Sequence, residues 1–194
     1  MEKKRFFEKG SLKCVIVLLV LMLISCGLLA VLNDLLYVSP EESLKRALTK
    51  IYGAEVTATL SDEKITNNDT STINKIYNIE DGNKLFNVTG LKGYKGSITL
   101  WVVVKYDSGN AIGISKVVLD SFKGETRMGD FKANFYSKYI DVTADWLKGT
   151  GVFASKPTDT KDIQNIVSGA TYSSNAANNA VNGVLAHLRK GGLI

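Results

Sequence analysis

Histidine, cysteine and proline are scarce in this chain of 194 residues, which has one histidine, two cysteines and two prolines. The single histidine, His187, has no second histidine and no neighbouring cysteine with which to bind zinc or build a catalytic triad. The sequence also lacks a P-loop and a GxGxxG motif, and its carboxylates form no pair with glycosidase spacing. We therefore expect no catalytic residue of these classes and no metal site.

Both cysteines, Cys14 and Cys26, lie in one apolar stretch near the N-terminus. Twelve residues along a helix separate them by about 18 Å, which is too far for a disulfide bond within the chain. The part of the sequence that follows has no cysteine. It therefore has no disulfide, no thiolate metal site and no iron–sulfur ligands of its own.

Positive charge is not gathered into a surface for nucleic acid, although the net charge is +5. Residues 1–13 contain five basic and two acidic residues and supply more than half of that net charge. The rest of the chain shows no basic stripe with interleaved aromatic residues, so no nucleic acid partner is expected. With 22% charged and 45% hydrophobic residues, the composition also excludes a wholly disordered chain and a polytopic membrane protein.

Residues 14–32 form an apolar run without a single charge. As a helix this run is about 28 Å long, close to the roughly 30 Å of a bilayer core. We predict a single transmembrane helix over residues 14–36, between a cytoplasmic N-terminal stub over 1–13 and an extracytoplasmic domain over 37–194. Five basic residues precede the run and three follow within twenty residues, which favours a single-pass cell-membrane protein with a cytoplasmic N-terminus.

A bacterial lipoprotein signal is the alternative interpretation of the same run. Residues 23–26 read LISC, and cleavage before Cys26 would leave a lipid on its sulfur. A cleavable signal turns polar soon after the cut, whereas residues 27–32 and 35–38 continue the apolar run. We favour the anchor, and both alternatives place the bulk of the chain outside the cytoplasm at a membrane.

The pattern of the outer part predicts an α+β domain with a mainly antiparallel sheet flanked by helices. Ser39 can cap a helix that begins at Pro40 and ends at Gly53. Residues 61–83 are polar and are predicted to form turns around one short strand. The remaining elements are predicted as strands over 84–89, 98–106 and 111–119, a helical or mixed region over 130–148, and a helix over 175–189.

The segment over residues 167–174, VSGATYSS, consists of small residues that lead directly into the last predicted helix. Ser173 or Ser174 can cap that helix, and Thr171 offers an uncrowded hydroxyl. The free N–H groups and the positive dipole end of a helix favour a phosphate at such a place. An ordinary capped turn explains the same residues, so the segment alone leaves both alternatives open.

SGAT over residues 168–171 resembles the flavinylation motif of a family of FMN-binding domains. This family comprises the anchored FMN-binding subunits of Rnf ion-translocating electron-transport complexes and of the related sodium-pumping NADH:quinone reductases. Two further segments agree. GYKG over 93–96 precedes a long apolar strand, as in that family, and ETRMGD over 125–130 resembles the family segment ETPGLGD.

The sequence also departs from the family pattern at two places. The ETRMGD segment is one residue shorter than ETPGLGD and lacks the proline and the first glycine. Asn165 stands where family members often have aspartate.

The resemblance implies a covalent FMN on Thr171, joined through a phosphoester bond. It also implies that the flavin is contacted by residues of two segments. They are Ser168, Gly169, Ala170 and Ser173 around the attachment site, and Glu125, Thr126, Met128 and Gly129 in the ETRMGD segment. Tyr94 or Tyr172 could stack on the ring.

The function implied by the resemblance is that of a membrane-anchored flavoprotein subunit of an Rnf-type ion-translocating complex, which moves electrons between ferredoxin and NAD. The chain itself would be an electron relay that is not catalytic alone. Its expected partners are the other membrane and iron–sulfur subunits of the complex and the flavin transferase that installs FMN. Two alternatives remain: a stand-alone extracellular FMN carrier, and an anchored binding module without a cofactor.

Overall fold

The computed structural model describes residues 9–140 and 142–194, so most of the predicted cytoplasmic stub lies outside the described residues. The chain divides into two units, residues 1–43 and residues 44–194. The second unit carries all the strands found in the described part of the chain.

The first unit is dominated by helix α1, Lys9–Leu36, which has 28 residues. Its stretch Leu12–Leu36 has a mean hydropathy of 3.2 and no buried residue. A helix that is apolar on every side is stable in an apolar environment such as a bilayer core. This one helix of the described residues is apolar enough to span a membrane, consistent with single-pass anchoring.

Helix α2, Pro40–Tyr52, begins and ends where the sequence predicts. The Glu42 backbone N–H donates a hydrogen bond of 3.1 Å to the Ser39 hydroxyl, so Ser39 caps the helix as expected. The helix is amphipathic, and its buried side chains are Ala47, Leu48 and Ile51.

Five antiparallel strands form one sheet in the order β1-β2-β3-β4-β5. Sequence-adjacent strands are paired throughout, so each strand lies beside the next one along the chain. The strands are β1 Ala58–Leu60, β2 Ser71–Ile79, β3 Lys84–Gly90, β4 Ser97–Asp107 and β5 Asn110–Lys123. The α+β fold with an antiparallel sheet and flanking helices is therefore confirmed.

Strand β4 is interior to the sheet, which explains why both of its faces are apolar. Leu100 and Val102 belong to a hydrophobic core on one face of the sheet, together with the last helix of the chain. Trp101 and Val103 belong to a second core, which includes Leu48 of α2. The alternation of side chains along a strand thus lets one strand serve two cores.

The chain continues beyond the sheet through short elements to one long helix. They are a single 3₁₀ turn at Met128–Asp130, α3 Ala133–Ser137, α4 Ala144–Lys148, β6 Phe153–Ala154, β7 Ile163–Gln164 and α5 Thr171–Lys190. Strands β6 and β7 pair in parallel as a separate two-stranded sheet. The predicted helical or mixed region over 130–148 corresponds to the 3₁₀ turn, α3 and α4.

Two predictions of local structure were wrong. The region over 61–83 contains the nine-residue strand β2 and not one short strand. The sequence pattern does not indicate β2, because the strand is rich in polar residues and a register shift between Ile73 and Lys75 breaks the alternation of its apolar side chains. Helix α5 begins at Thr171, four residues before the predicted start.

Candidate functional site

Thr171 is the first residue of helix α5, and Ala170 occupies the N-cap position without a side-chain hydrogen bond to the helix. The first turn contains no acidic residue. Neither Ser173 nor Ser174 caps the helix, because both lie inside its first turn. The N–H groups at this end therefore have no side-chain cap, which leaves the positive end of the helix dipole available to an anion.

Ser174 holds the turn that leads into α5. Its hydroxyl accepts a hydrogen bond of 3.0 Å from the Val167 N–H and donates one of 2.9 Å to the Ala170 carbonyl. The Ala170 N–H also bonds to the Val167 carbonyl at 3.0 Å. Because Ser174 is fully buried, this small network fixes the backbone immediately before Thr171.

Ser173 connects the same helix turn to the ETRMGD segment. Its hydroxyl donates a hydrogen bond to one carboxylate oxygen of Glu125, which is 5% exposed. The other carboxylate oxygen accepts from the Tyr94 N–H at 2.8 Å. A Cβ atom on Gly93 would lie 1.9 Å from this second oxygen, so the close approach requires glycine. Glu125 thereby joins three distant segments of the chain.

The other residues of the ETRMGD segment differ in exposure. Met128 is 8% exposed and belongs to the core that faces α5. Thr126 and Gly129 are exposed. The Arg127 Nε donates to an Asp130 carboxylate oxygen at 2.7 Å, and about half of each side chain is exposed. The Arg127 Nη1 lies 2.8 Å from the position that a Cβ on Gly169 would take.

Thr171 lines a surface cavity of about 510 Å³ beside the start of α5, within the size range of small-molecule sites. The Thr171 side chain is partly buried, and Tyr172 is 63% exposed. Tyr94, the other tyrosine considered for stacking, is 54% exposed and does not line this cavity. The lining residues are Ala154, Ser155, Lys156, Thr171, Tyr172 and Asn175.

The loop that carries Lys156 to this cavity is organised by Asp162. One carboxylate oxygen of Asp162 accepts from the N–H groups of Thr158 and Asp159 at 3.0 and 3.1 Å. The other accepts from the Val152 N–H at 3.2 Å. These backbone hydrogen bonds, that of Thr158 first, lower the pKa of Asp162 below its usual value.

Asn165, three residues before Ser168, is fully buried and connects its segment to two others through hydrogen bonds. Its side-chain N–H donates to the Phe135 carbonyl at 3.1 Å. The backbone carbonyl of Asn165 accepts a hydrogen bond from the Asn178 side-chain amide at 2.8 Å. The Asn178 side-chain oxygen in turn accepts from the Tyr139 hydroxyl at 2.8 Å. Burial raises the pKa of Tyr139 well above its ordinary value.

The structure therefore brings the SGAT segment, Ser173 and Glu125 together around the start of α5. Sequence reasoning did not single out Lys156 and Asn175, which share the cavity with Thr171. Lys156 lies on a loop fifteen positions earlier, and nothing in its local sequence marks it. Asn175 lies one helical turn after Thr171, a spacing that could have identified it once the helix start was known.

These observations fit a flavin nucleotide, because a hydroxyl lies at a helix start, a cavity adjoins it and two cationic residues lie close to the same segment. Fold and site thus define an α+β domain able to hold a phosphate-bearing ligand.

Residues 93–186 match the family model described as FMN-binding domain, slightly less than half of the chain. The match includes Tyr94, Glu125 and Thr171. It supports an FMN-binding protein family, FMN as the cofactor and an electron-transfer role through bound flavin. No curated protein and no solved structure gives a significant match to the chain.

Proposed function

We propose that this chain is a membrane-anchored flavoprotein subunit that relays electrons through FMN bound covalently to Thr171 in an Rnf-type ion-translocating oxidoreductase complex. The observation that carries the proposal is the position of Thr171. It opens helix α5, lies in the SGAT segment, lines a cavity and falls within the match to the FMN-binding domain. When bound, the flavin supplies the one-electron and two-electron transfer that no side chain provides.

Attachment requires Thr171 and a flavin transferase acting on a phosphoanhydride donor such as flavin adenine dinucleotide. The Thr171 hydroxyl oxygen forms a bond to the FMN phosphorus while the phosphoanhydride bond breaks. Adenosine monophosphate leaves with the bridging oxygen, and the hydroxyl proton is released to solvent. The uncapped N–H groups of α5 favour the negative phosphate that remains on Thr171.

A covalent tether suits the proposed place of the domain outside the cytoplasm, where a dissociated flavin would be lost. The phosphoester bond replaces a dissociation equilibrium with a permanent high effective concentration. Helix α1 would keep the flavin at the membrane, and the N-terminus of the chain would lie in the cytoplasm. The proposed electron partners are the membrane and iron–sulfur subunits of the complex.

The flavoprotein proposal is tested by coexpressing the full chain with a flavin transferase and measuring its intact mass. The wild type should gain the mass of FMN less one water and show flavin fluorescence in a denaturing gel. Thr171→Ala should gain neither, whereas Thr59→Ala, at an exposed position on β1, should behave as the wild type. An unchanged wild-type mass would favour the cofactor-free module, and a labelled Thr171→Ala would exclude Thr171 as the attachment site.

Membership of a complex needs a separate experiment. Solubilisation of the native membrane in mild detergent, followed by affinity purification of the tagged chain, should recover polytopic and iron–sulfur subunits. Recovery of the loaded chain alone would favour the stand-alone FMN carrier.

A further inference from the structure

Arg127 occupies an unusual position relative to the SGAT segment. It stands in the ETRMGD segment, and its guanidinium group lies against the backbone of Gly169, two residues before Thr171. The Nη1 atom is 2.8 Å from the place of a Cβ on Gly169, which any other residue would fill. Gly169 also has a φ of +73°, in the region that favours glycine. Both properties keep this approach open to the arginine.

Asp130 fixes the direction of the arginine fork. It accepts a hydrogen bond from the Arg127 Nε at 2.7 Å, which leaves N–H donors of the two Nη groups for other partners. In the described part of the chain, Arg127 has no carboxylate partner besides Asp130. Its side chain is 51% exposed, so the Nη groups remain accessible to a ligand at the start of α5.

The start of α5 offers hydrogen-bond donors to an anion next to this guanidinium group. The first turn of α5 has no acidic residue, and both carboxylate oxygens of the nearby Glu125 are already engaged by donors. A phosphodiester on Thr171 carries one negative charge and has free oxygens at the position toward which the helix N–H groups point. Arginine recognises such oxygens through paired N–H donors.

We infer that Arg127 holds the phosphodiester of FMN on Thr171 through its Nη groups, with Asp130 as the residue that orients it. This inference rests on the proposed function, because it concerns the same tether. Arg127 thereby restricts the phosphate end of the cofactor, which the covalent bond alone leaves free to rotate. The arginine is a positioning residue and takes no part in electron transfer.

The test compares wild type, Arg127→Gln, Arg127→Lys and the control Lys132→Gln as full chains in detergent, each with and without FMN. Lys132 is an exposed cation of the same region. The readouts are the phosphorus-31 chemical shift of the loaded chain and the rise in unfolding temperature on loading. We expect Arg127→Gln to change the phosphorus-31 shift of the loaded chain and to lose most of the rise in unfolding temperature, because it removes the charge-assisted hydrogen bonds to the phosphate.

Arg127→Lys should recover only part of the rise, because lysine keeps the charge and loses the fork. Asp130→Asn should give an intermediate phosphorus-31 shift, and Lys132→Gln should match the wild type. Without FMN, all variants should unfold close to the wild type, because an exposed ion pair contributes little. Equal shifts and equal rises in wild type and Arg127→Gln would overturn the inference while leaving the flavoprotein proposal intact. A wild type that takes no FMN would overturn both.

Discussion

The Ser173 hydroxyl donates a hydrogen bond to the Glu125 carboxylate across 48 positions of sequence. The same carboxylate accepts from the Tyr94 N–H at 2.8 Å. The buried Glu125 side chain therefore connects the loop before β4, the ETRMGD segment and the first turn of α5. The resemblance implies a flavin contact for Glu125, and the contacts of the structure engage both of its oxygens within the protein.

We expect Glu125→Ala to lower the free energy of unfolding by about 2 to 4 kcal/mol, because it leaves the hydroxyl of the buried Ser173 and the part-buried Tyr94 N–H without their acceptor. Glu125→Gln should cost less, about 1 kcal/mol, since its amide can still pair with both groups. Denaturant unfolding of the full chain in detergent measures the difference. Equal stability of the alanine variant and the wild type would contradict the joining role.

Gly93→Ala should disturb the same hydrogen bonds of Glu125, because it adds a Cβ atom next to the carboxylate. The new Cβ would lie 1.9 Å from the Glu125 Oε1, and moving that carboxylate breaks its bond to Tyr94. We expect a loss of about 1 to 3 kcal/mol. Gly113→Ala on β5 is the matched control, because its Cβ would meet nothing within 4 Å. The prediction fails if both alanine variants unfold at the same denaturant concentration.

The stability of the domain over residues 44–194 should depend on pH through Glu63. Burial acts to raise the pKa of Glu63, but the hydrogen bonds and charges of Lys84 and His187 outweigh it and lower the pKa. The His187 Nδ1 lies 3.3 Å from the Thr66 backbone nitrogen, and the His187 Nε2 lies 3.0 Å from a carboxylate oxygen of Glu63. A lowered pKa means that the stabilisation is complete above the unfolded value of about 4.3 and is lost as the pH falls through the folded value.

We therefore expect Glu63→Gln to lower stability at pH 7 by about 1 to 2 kcal/mol and to flatten the loss of stability below about pH 5. Glu80→Gln, at an exposed position, serves as the control. Thermal unfolding between about pH 3 and pH 7 measures both. An unchanged slope in the Glu63 variant would show that another group causes the acid sensitivity.

Asn165→Asp introduces the residue that the family resemblance favours, and we expect it to destabilise this particular chain. The buried Asn165 amide donates to the Phe135 carbonyl at 3.1 Å, and a carboxylate would place negative charge against that carbonyl. The expected cost is about 2 to 4 kcal/mol. Gln164→Glu makes the same change of charge at the adjacent exposed position and should cost no more than about 1 kcal/mol. Comparable losses in the two variants would exclude a specific role for the amide.

Cys26→Ser should leave the chain in the membrane fraction after alkaline extraction, because the apolar helix anchors it without a lipid. Cys14→Ser is the matched control, since both cysteines are exposed on α1. The intact mass of the wild type should include its first residues. Release of the Cys26 variant, or a mature chain that starts at a lipidated Cys26, would favour the lipoprotein alternative.

Much of the fold follows from local pattern. The charge-free run of α1, the Ser39 cap of α2 and the apolar strand β4 are each visible within a dozen or two dozen residues, because helix periodicity, capping and strand burial depend on near neighbours. The SGAT segment is likewise local. These features were enough to predict an α+β domain behind an apolar helix, and the family resemblance of the SGAT segment then indicated Thr171.

Contacts between distant segments could not be read in this way. The pairing of Ser173 with Glu125, the approach of Arg127 to Gly169 and the shared cavity of Lys156 and Thr171 join positions that are 15 to 48 residues apart. The start of α5 also depends on tertiary contacts. The Ser173 hydroxyl bonds to Glu125 and the Ser174 hydroxyl bonds to the preceding turn, so neither serine caps the helix and Ala170 occupies the N-cap position. A sequence shows which side chains can bond, whereas the packing of α5 against the sheet selects the partner that each one meets.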